Sequence, residues 1–451
     1  MPIPNDLIQS LQDVPGFDET SFKEVHESGE QVTAIRFHPA KQQCITDKWA
    51  GENIPWCPAG LYLQERPSFT LDPSFHAGAY YVQDASSMFL WHVLQQLVTE
   101  TAGKKVLDLC AAPGGKSTLL ASYFTEGLLV SNEVIKSRAA ILVENMTKWG
   151  NDNVVVTNND PAHFQSLGNY FDVIVVDAPC SGSGLFRKDP DAANEWSLDH
   201  VELCSQRQQR ILSDILPVLK EEGILIYATC SYSKEEDEMI ADWLVEEMGM
   251  ESLPVQTGEK WGIIHSYSAK KQAAGYRFYP DKLKGEGFFI AVFKKTTSAA
   301  AGSYGKKVTI AKPAKQEMEQ ILSFIPLTNE YQVFKQADQF RIFKGRWMED
   351  ISMLAGSLYI RKAGVELGAI KGKNIVPSHE LAVSLLPKDT FAQVGVNKEQ
   401  ALQYLRRQDI SLQADKGWNL ITYQNLPLGW IKALPNRINN YYPQEWRILK
   451  K

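Results

Sequence analysis

The sequence predicts an α/β protein built on a doubly wound, mostly parallel sheet. Three observations predict it. The mostly apolar run 105–109 (Lys-Val-Leu-Asp-Leu) is followed by a Pro113-Gly114-Gly115 turn and a helical pattern over 117–124. Strand-like and helix-like segments then alternate five times. The strand segments, Phe171 to Asp177 above all, are apolar on both faces, as strands covered by helices on each side must be. In such sheets ligands lie at the carboxyl ends of the strands.

The elements follow in order. Residues 5–14 and 19–27 read as short helices and 31–37 as a strand. Ile54-Pro55-Trp56-Cys57-Pro58 is a rigid loop whose Trp56 reads as packed rather than base-stacking. Residues 78–87 lead into a helix over 88–97, which Ser86 or Ser87 would cap. A second core strand, 128–133, ends in Glu133, 25 residues beyond Asp108, where doubly wound nucleotide folds hold a ribose diol. A helix over 135–149 carries Arg138 on its first turn. The third strand, 153–157, is followed by Asp160, placed to meet an adenine amino group. The fourth is 171–177. Next come a long amphipathic helix over 198–220, a fifth strand over 223–229, a helix over 234–248 and a closing strand over 287–293.

The chain has 451 residues, enough for two to four domains, with 44% hydrophobic and 22% charged residues. The expected division is an N-terminal α+β substrate module (1–100), a catalytic domain (101–294), a small, polar, basic linker (295–308) and two C-terminal α+β modules (309–380 and 381–451). The last shows a helix over 398–407 and a hairpin over 418–423 and 428–434. No signal peptide and no bilayer-spanning apolar run are evident, so a cytoplasmic protein is expected. Six cysteines without a Cys-x-x-Cys pair predict reduced thiols and no metal site.

The net charge of −6 hides an asymmetry. Residues 305–451 hold 22 Lys and Arg against 13 Asp and Glu, a net of +9; residues 1–304 hold 25 against 40, a net of −15. The basic part is the candidate phosphate-facing surface. Arg341, Lys344, Arg346 and Trp347 cluster in it, and its tail interleaves Arg437, Tyr441, Tyr442, Trp446 and Arg447, a mixture suited to phosphate contact and base stacking.

The glycine turn after the first core strand lacks both the P-loop spacing and the Gly-x-Gly-x-x-Gly fingerprint. It carries a carboxylate, Asp108, which suits a ligand with positive charge and no phosphate. S-adenosylmethionine (AdoMet), a sulfonium and ammonium cation, is such a ligand.

Two strand ends carry cysteines: Asp177-Ala178-Pro179-Cys180-Ser181-Gly182 after the fourth strand and Thr229-Cys230-Ser231 after the fifth. These strands neighbour each other in a doubly wound sheet, so both thiols should stand beside the cofactor turn. AdoMet, a carboxylate and thiols together fit methylation at carbon 5 of a cytosine. A thiolate adding to carbon 6 makes carbon 5 nucleophilic. An acid near ring nitrogen 3, here Asp177, takes up the developing negative charge. The residues alone do not say which thiol attacks.

The motifs Asp-Leu-Cys-Ala-Ala-Pro-Gly-Gly-Lys, Asp-Ala-Pro-Cys-Ser-Gly and Thr-Cys-Ser, in this order, resemble the NOL/NOP/Sun family of RNA cytosine carbon-5 methyltransferases. The tail around Leu428-Gly429-Trp430-Ile431-Lys432 and Asn436 to Pro443 resembles its bacterial RsmF branch. The resemblance implies a Rossmann-like methyltransferase core and a PUA-like C-terminal fold. It implies Cys230 as nucleophile and Cys180 as the product-release residue, with Asp177 beside them. It also implies an AdoMet site formed by Cys110, Ala111, Ala112, Pro113, Gly114, Gly115, Lys116, Glu133, Asp160 and Asp177, with Arg138 nearby, and a substrate-facing Lys188. The expected partner is 16S rRNA or the small ribosomal subunit, methylated near the decoding region by a monomer without metal. Alternatives are a tRNA substrate, or an inactive RNA-binding assembly factor. The C-terminal modules should dock the RNA, and their removal (309–451) should leave AdoMet binding intact. One departure stands out: Asp281 follows Arg277-Phe278-Tyr279-Pro280, where the family often has histidine.

Overall fold

The computed structural model describes residues 3–44, 48–297, 307–372 and 374–450. Most of the expected linker, residues 298–306, lies outside them. The central sheet is doubly wound, as the alternation predicts. Its strands are β1 (Lys105–Asp108), β2 (Leu128–Asn132), β3 (Val154–Thr157), β4 (Phe171–Asp177), β5 (Leu219–Thr229), β6 (Met250–Ser252), β7 (Ile264–Tyr267), β8 (Ala274–Phe278), β9 (Phe288–Lys295) and β10 (Ile360–Ala363). Their order is β7-β8-β9-β5-β4-β1-β2-β3-β10, with β6 on β9. β1 to β5 run parallel, and β6 to β10 are antiparallel to the strands they pair with.

Side-chain alternation along a strand explains the two-sided core. Val106, Leu129, Val173 and Val175 join one apolar cluster. Leu107, Val130, Ile174 and Val176 join the other, across the sheet. The helices covering these faces include Gly115–Tyr123, Lys136–Trp149 and Leu198–Ile215.

Several details differ from the sequence reading; the helix expected over 5–14 stops at Ser10 and that over 398–407 at Leu405. The helix expected to reach 220 ends at Ile215; Pro217, in the short 3-10 turn Leu216–Val218, follows, and β5 starts at Leu219. The helix expected over 234–248 is Glu238–Glu246, because residues 234–237 form a turn after the Cys230 strand end. Neither serine caps the helix Phe89–Leu97: the Ser86 hydroxyl donates to Glu286 O (2.8 Å) and the Ser87 hydroxyl to Asp84 O (2.9 Å).

The flanking modules are built into the core rather than strung beside it. The N-terminal sheet orders Gly51–Asn53, Gly60–Leu63, Thr33–Phe37 and Tyr80–Val82. Its Ile35, Phe37 and Leu61 share an apolar cluster with Tyr404, Leu428, Ile431 and Tyr442 of the C-terminal end. β10 comes from the region after the linker, yet it extends the edge of β3. Lys41 is buried where three regions meet. Its ammonium lies within hydrogen-bond distance of the carbonyls of Ala77 (2.9 Å), Lys148 (3.0 Å), Trp149 (3.1 Å) and Val383 (3.1 Å). Two of these end the helix Lys136–Trp149, where helix polarity favours a cation.

Candidate active site

The cofactor turn begins where β1 stops. Gly114 has φ +117°, a left-handed conformation that side chains resist, and it starts the helix Gly115–Tyr123. The buried Asp108 carboxylate accepts the Ser117 hydroxyl at 2.6 Å, and Ser117 also contacts Ser131 on β2 (2.9 Å). Burial raises the Asp108 carboxyl to about 7, against the Ser117 hydrogen bond. Its other oxygen has no hydrogen-bond partner.

A cavity of about 190 Å³ lies over this turn. Its walls include Cys110, Ala111, Ala112, Pro113, Gly115, Lys116 and Asp177, so it gathers most of the residues assigned to the turn. Tyr81 and Gln83 of the N-terminal sheet close its other side.

Glu133 stands at the end of β2, buried. One of its oxygens accepts the Ile135 N–H (2.9 Å) and the other lies 3.6 Å from Arg138, which donates to Ala112 O at 2.8 Å. Arg138 thus ties the Glu133 carboxylate to the glycine turn. Asp160 caps the next turn by accepting the Ala162 N–H (3.0 Å) and lies 3.8 Å from Arg210. The cavity, the left-handed glycine and the Asp177 carboxylate in the cavity wall suit a compact cationic ligand without phosphate; Asp108, Glu133, Arg138 and Asp160 do not line that wall. AdoMet fits that description.

The chemistry-bearing side chains meet above β4 and β5, which are neighbours as predicted. Lys116 from the turn lies 2.8 Å from the Asp177 carboxylate at the end of β4. The thiols of Cys180 and Cys230 are 2.9 Å apart and in hydrogen-bond contact. That contact, with burial, pushes the Cys180 thiol well above its ordinary range. Close backbone approach makes this possible: Gly184 donates to Cys230 O (2.9 Å) and accepts from Gly287 N–H (3.0 Å). A Cβ on Gly184 would lie 2.5 Å from Gly287 O. Lys188 faces the N-terminal side, 2.9 Å from Asp84 and 3.9 Å from Glu286.

Sequence reasoning missed several residues that hold this site. Glu236 is buried between the two thiol turns and accepts hydrogen bonds from both Ser181 and Ser231. Its only sequence signal is the acidic run Glu235 to Glu238, which at a helix start reads as a solvated face. Arg36, also buried, donates to Gln83 (2.9 Å), Thr118 (2.6 Å) and Gly115 O (3.1 Å), bracing the cofactor helix from the N-terminal module. Asn159 accepts from Tyr359 N–H (3.0 Å) and donates to Tyr359 O (3.2 Å), so the segment before β10 clasps the loop carrying Asp160. Asp281, where the family often has histidine, accepts Ser21 Oγ–H (2.7 Å) and fastens an N-terminal helix.

Two expected RNA-facing clusters are corrected. Arg341 pairs with Glu366 and Glu380, Lys344 with Glu126 and Glu330, and Arg346 with Glu126, while Trp347 is buried. Arg341 is paired within the C-terminal part, while Lys344 and the exposed Arg346 reach Glu126 of the catalytic domain and so join two modules. In the tail, Tyr442 is fully buried against Tyr404, Tyr441 packs on Trp418, and Trp446 packs on His379. Arg437 and Arg447 are the exposed members of that tail group. Trp56 is packed against Phe89, Trp261 and Phe278, as expected of a loop aromatic.

Comparison with known proteins bears on this geometry. Ribosomal RNA small subunit methyltransferase F of Psychromonas ingrahamii is 31% identical, over 88% of this chain and 85% of its own. The chain belongs to the RsmB/F family of methyltransferases. The family model described as 16S rRNA methyltransferase RsmB/F matches residues 95–294. The model for the N-terminal domain of 16S rRNA methyltransferase RsmF matches 3–85, and that for the RsmF PUA domain matches 391–448. The methyltransferase F of Aliivibrio fischeri strain ES114 is 30% identical, over 90% of this chain and 87% of its own. Among solved structures, a methyltransferase homolog protein from Pyrococcus horikoshii matches at 27% identity and a TM-score of 0.53, over 65% of this chain and all of its own. NSun6 from Pyrococcus horikoshii with SFG shares the fold, at 20% identity and a TM-score of 0.54, over 65% of this chain and 99% of its own. This RsmB/F protein is an AdoMet-dependent RNA methyltransferase with a Rossmann-like core, an N-terminal domain and a PUA domain. Among the described residues no helix is long and apolar enough to cross a membrane.

Proposed function

We propose that the protein methylates carbon 5 of a cytidine in 16S rRNA, near the decoding region, through a covalent bond between Cys230 and carbon 6. The observation that carries this reading is the contact of two thiols at adjacent strand ends, beside an Asp–Lys pair and the cofactor turn. A methyltransferase that attacks with an exocyclic nitrogen or a hydroxyl needs neither thiol.

Cys230 loses its proton to solvent and attacks carbon 6 as the thiolate, while the Cys180 thiol keeps its own proton and donates a hydrogen bond to it. Asp177 acts as the acid that donates its proton to nitrogen 3 as negative charge builds there, and Lys116 compensates the carboxylate this leaves. Bound AdoMet, held by the 110–116 turn with Glu133, Arg138, Asp160 and Asp177, supplies the methyl group that carbon 5 takes. The carbon-5 proton then leaves to solvent with Cys180 assisting, and the C5–H electron pair restores the 5,6 double bond as the Cys230–carbon 6 bond breaks and regenerates the thiolate. The target base must be turned out of its stack to present carbon 6 to one side and carbon 5 to the cofactor. Lys188, paired with Asp84 in the free protein, is the residue assigned to contact the RNA strand. The PUA domain and the names of the relatives support the small subunit as the substrate.

Transfer of labelled methyl to assembled small subunits, naked 16S rRNA and bulk tRNA, followed by mass identification and mapping of the nucleoside, tests this. The expected product is 5-methylcytidine in the small-subunit RNA. Label in tRNA overturns the substrate, label on another atom overturns the mechanism, and no label favours an RNA-binding assembly factor.

A further inference from the structure

Each catalytic cysteine is fastened on both sides, and most of the fastenings converge on one buried side chain. One Glu236 oxygen accepts the Ser181 N–H (2.8 Å) and the Gln208 amide (3.0 Å); the other accepts the Ser181 hydroxyl (2.5 Å) and the Ser231 hydroxyl (2.6 Å). Ser181 directly follows Cys180, and Ser231 directly follows Cys230. On the other flanks, Gln208 also donates to Pro179 O (3.0 Å), just before Cys180. The Thr229 hydroxyl, just before Cys230, donates to Asp237 (2.6 Å). Tyr227 closes the network: its hydroxyl donates to Glu236 O (2.6 Å) and lies 3.0 Å from the Gln208 amide oxygen.

We propose that Glu236 is a positioning residue for the reaction: its carboxylate staples the two thiol turns together, setting the contact between Cys180 and Cys230 and the side on which their shared proton rests. The proposal deepens the cytosine carbon-5 reading and rests on it for the role of the thiols. A carboxylate is costly to bury, and four donors compensate it here. Apolar packing could join two turns, but it would not carry a negative charge beside Cys180. That charge favours the protonated Cys180 thiol, which then donates to Cys230 when Cys230 becomes the attacking thiolate. Gln is the matching control: its amide can donate to the two serine hydroxyls and its oxygen can accept from Ser181 N–H, so shape is kept and charge is lost.

The test compares wild type, Glu236→Ala and Glu236→Gln as full chains on two readouts. The first is the rate at which Cys180 and Cys230 close a disulfide under oxidised glutathione, followed by mass. Two thiols lose two protons and two electrons, and one oxidised glutathione becomes two reduced ones. The second is methyl transfer against pH, with kcat and KM for AdoMet separated. Glu236→Ala should close the disulfide about tenfold more slowly and lose kcat, with the AdoMet KM unchanged. Glu236→Gln should close it at the wild-type rate while its kcat–pH profile moves to lower pH. Wild-type closure in Glu236→Ala, or an unmoved pH profile in Glu236→Gln, overturns the proposal. If Glu236→Ala does not fold, the Glu236→Gln profile alone decides. Disulfide closure does not depend on the substrate. Slowed closure in Glu236→Ala together with a product other than 5-methylcytidine therefore sinks the cytosine reading and leaves the staple standing.

Discussion

The Lys116 ammonium, carried by the cofactor turn, sits 2.8 Å from the Asp177 carboxylate at the end of the neighbouring strand β4. The pair joins the turn proposed to cradle the methyl donor to the residue proposed to hold the base. Lys116 also lies over the Phe288 ring, 5.0 Å from its centre, which fixes the ammonium in place. Lys116→Met should lower kcat by about 100-fold, the scale of losing one aligned charged donor. Steady-state methyl transfer at saturating AdoMet checks this; an unchanged kcat would remove Lys116 from the chemistry.

The two thiols should separate on a denaturing gel. With AdoMet and substrate RNA, Cys180→Ala should accumulate a covalent protein–RNA adduct, because the bond to carbon 6 forms and is not released. Cys230→Ala should form no adduct and show no turnover. The opposite pattern would exchange the roles.

Asp108 predicts a pH effect on the cofactor-free protein. Its folded-state carboxyl is raised to about 7, above the unfolded value, so the folded chain holds a proton that the unfolded chain releases. The associated stability is full below the ordinary carboxylate range and is lost as pH rises through about 7. Thermal melts from pH 5 to pH 8.5 should show this decline, and Asp108→Asn should flatten it. A positively charged ligand at the turn favours the ionised form, so added AdoMet should recover more stability at pH 8 than at pH 5.5. Equal recovery at both would separate Asp108 from the ligand's charge.

Gly184→Ala should cost activity through geometry alone. The new Cβ meets Gly287 O at 2.5 Å, and Gly184 N–H is the donor to Cys230 O. The Cys230 turn must shift, and about a tenfold loss in kcat with retained AdoMet affinity is expected. Kinetics beside calorimetric AdoMet titration would show it.

Removing residues 298–451 should not leave a working catalytic domain, contrary to the separable modules that the sequence suggests. The cut strips β10 from the edge of β3, frees Asn159 from Tyr359 and uncovers the Ile35–Phe37 cluster. A melting temperature lower by about 10 °C or more, or aggregation, is expected, together with weaker AdoMet binding. A truncated chain that melts and binds AdoMet like the full one would refute this.

The catalytic core was legible because its signals are local. Strand, glycine turn and helix at 105–124 and apolar runs of strand length placed β1 to β5, and cysteines at two strand ends placed the thiols. Helix ends were misjudged where a turn carries helix-compatible residues, as at 234–237. Contacts between segments distant in sequence left no such mark. Glu236 reads as one acid among four, Arg341 and Lys344 read as free cations, and Tyr442 reads as a stacking aromatic. In each case the partner lies on another element, and burial reversed the meaning of a polar or aromatic side chain.

Lys41 gathers carbonyls from the N-terminal module, the catalytic helix and the segment after β10 around one ammonium. A side chain that satisfies carbonyls of three regions at once makes their seating interdependent: none of the three can shift by itself without leaving a buried carbonyl unpaired.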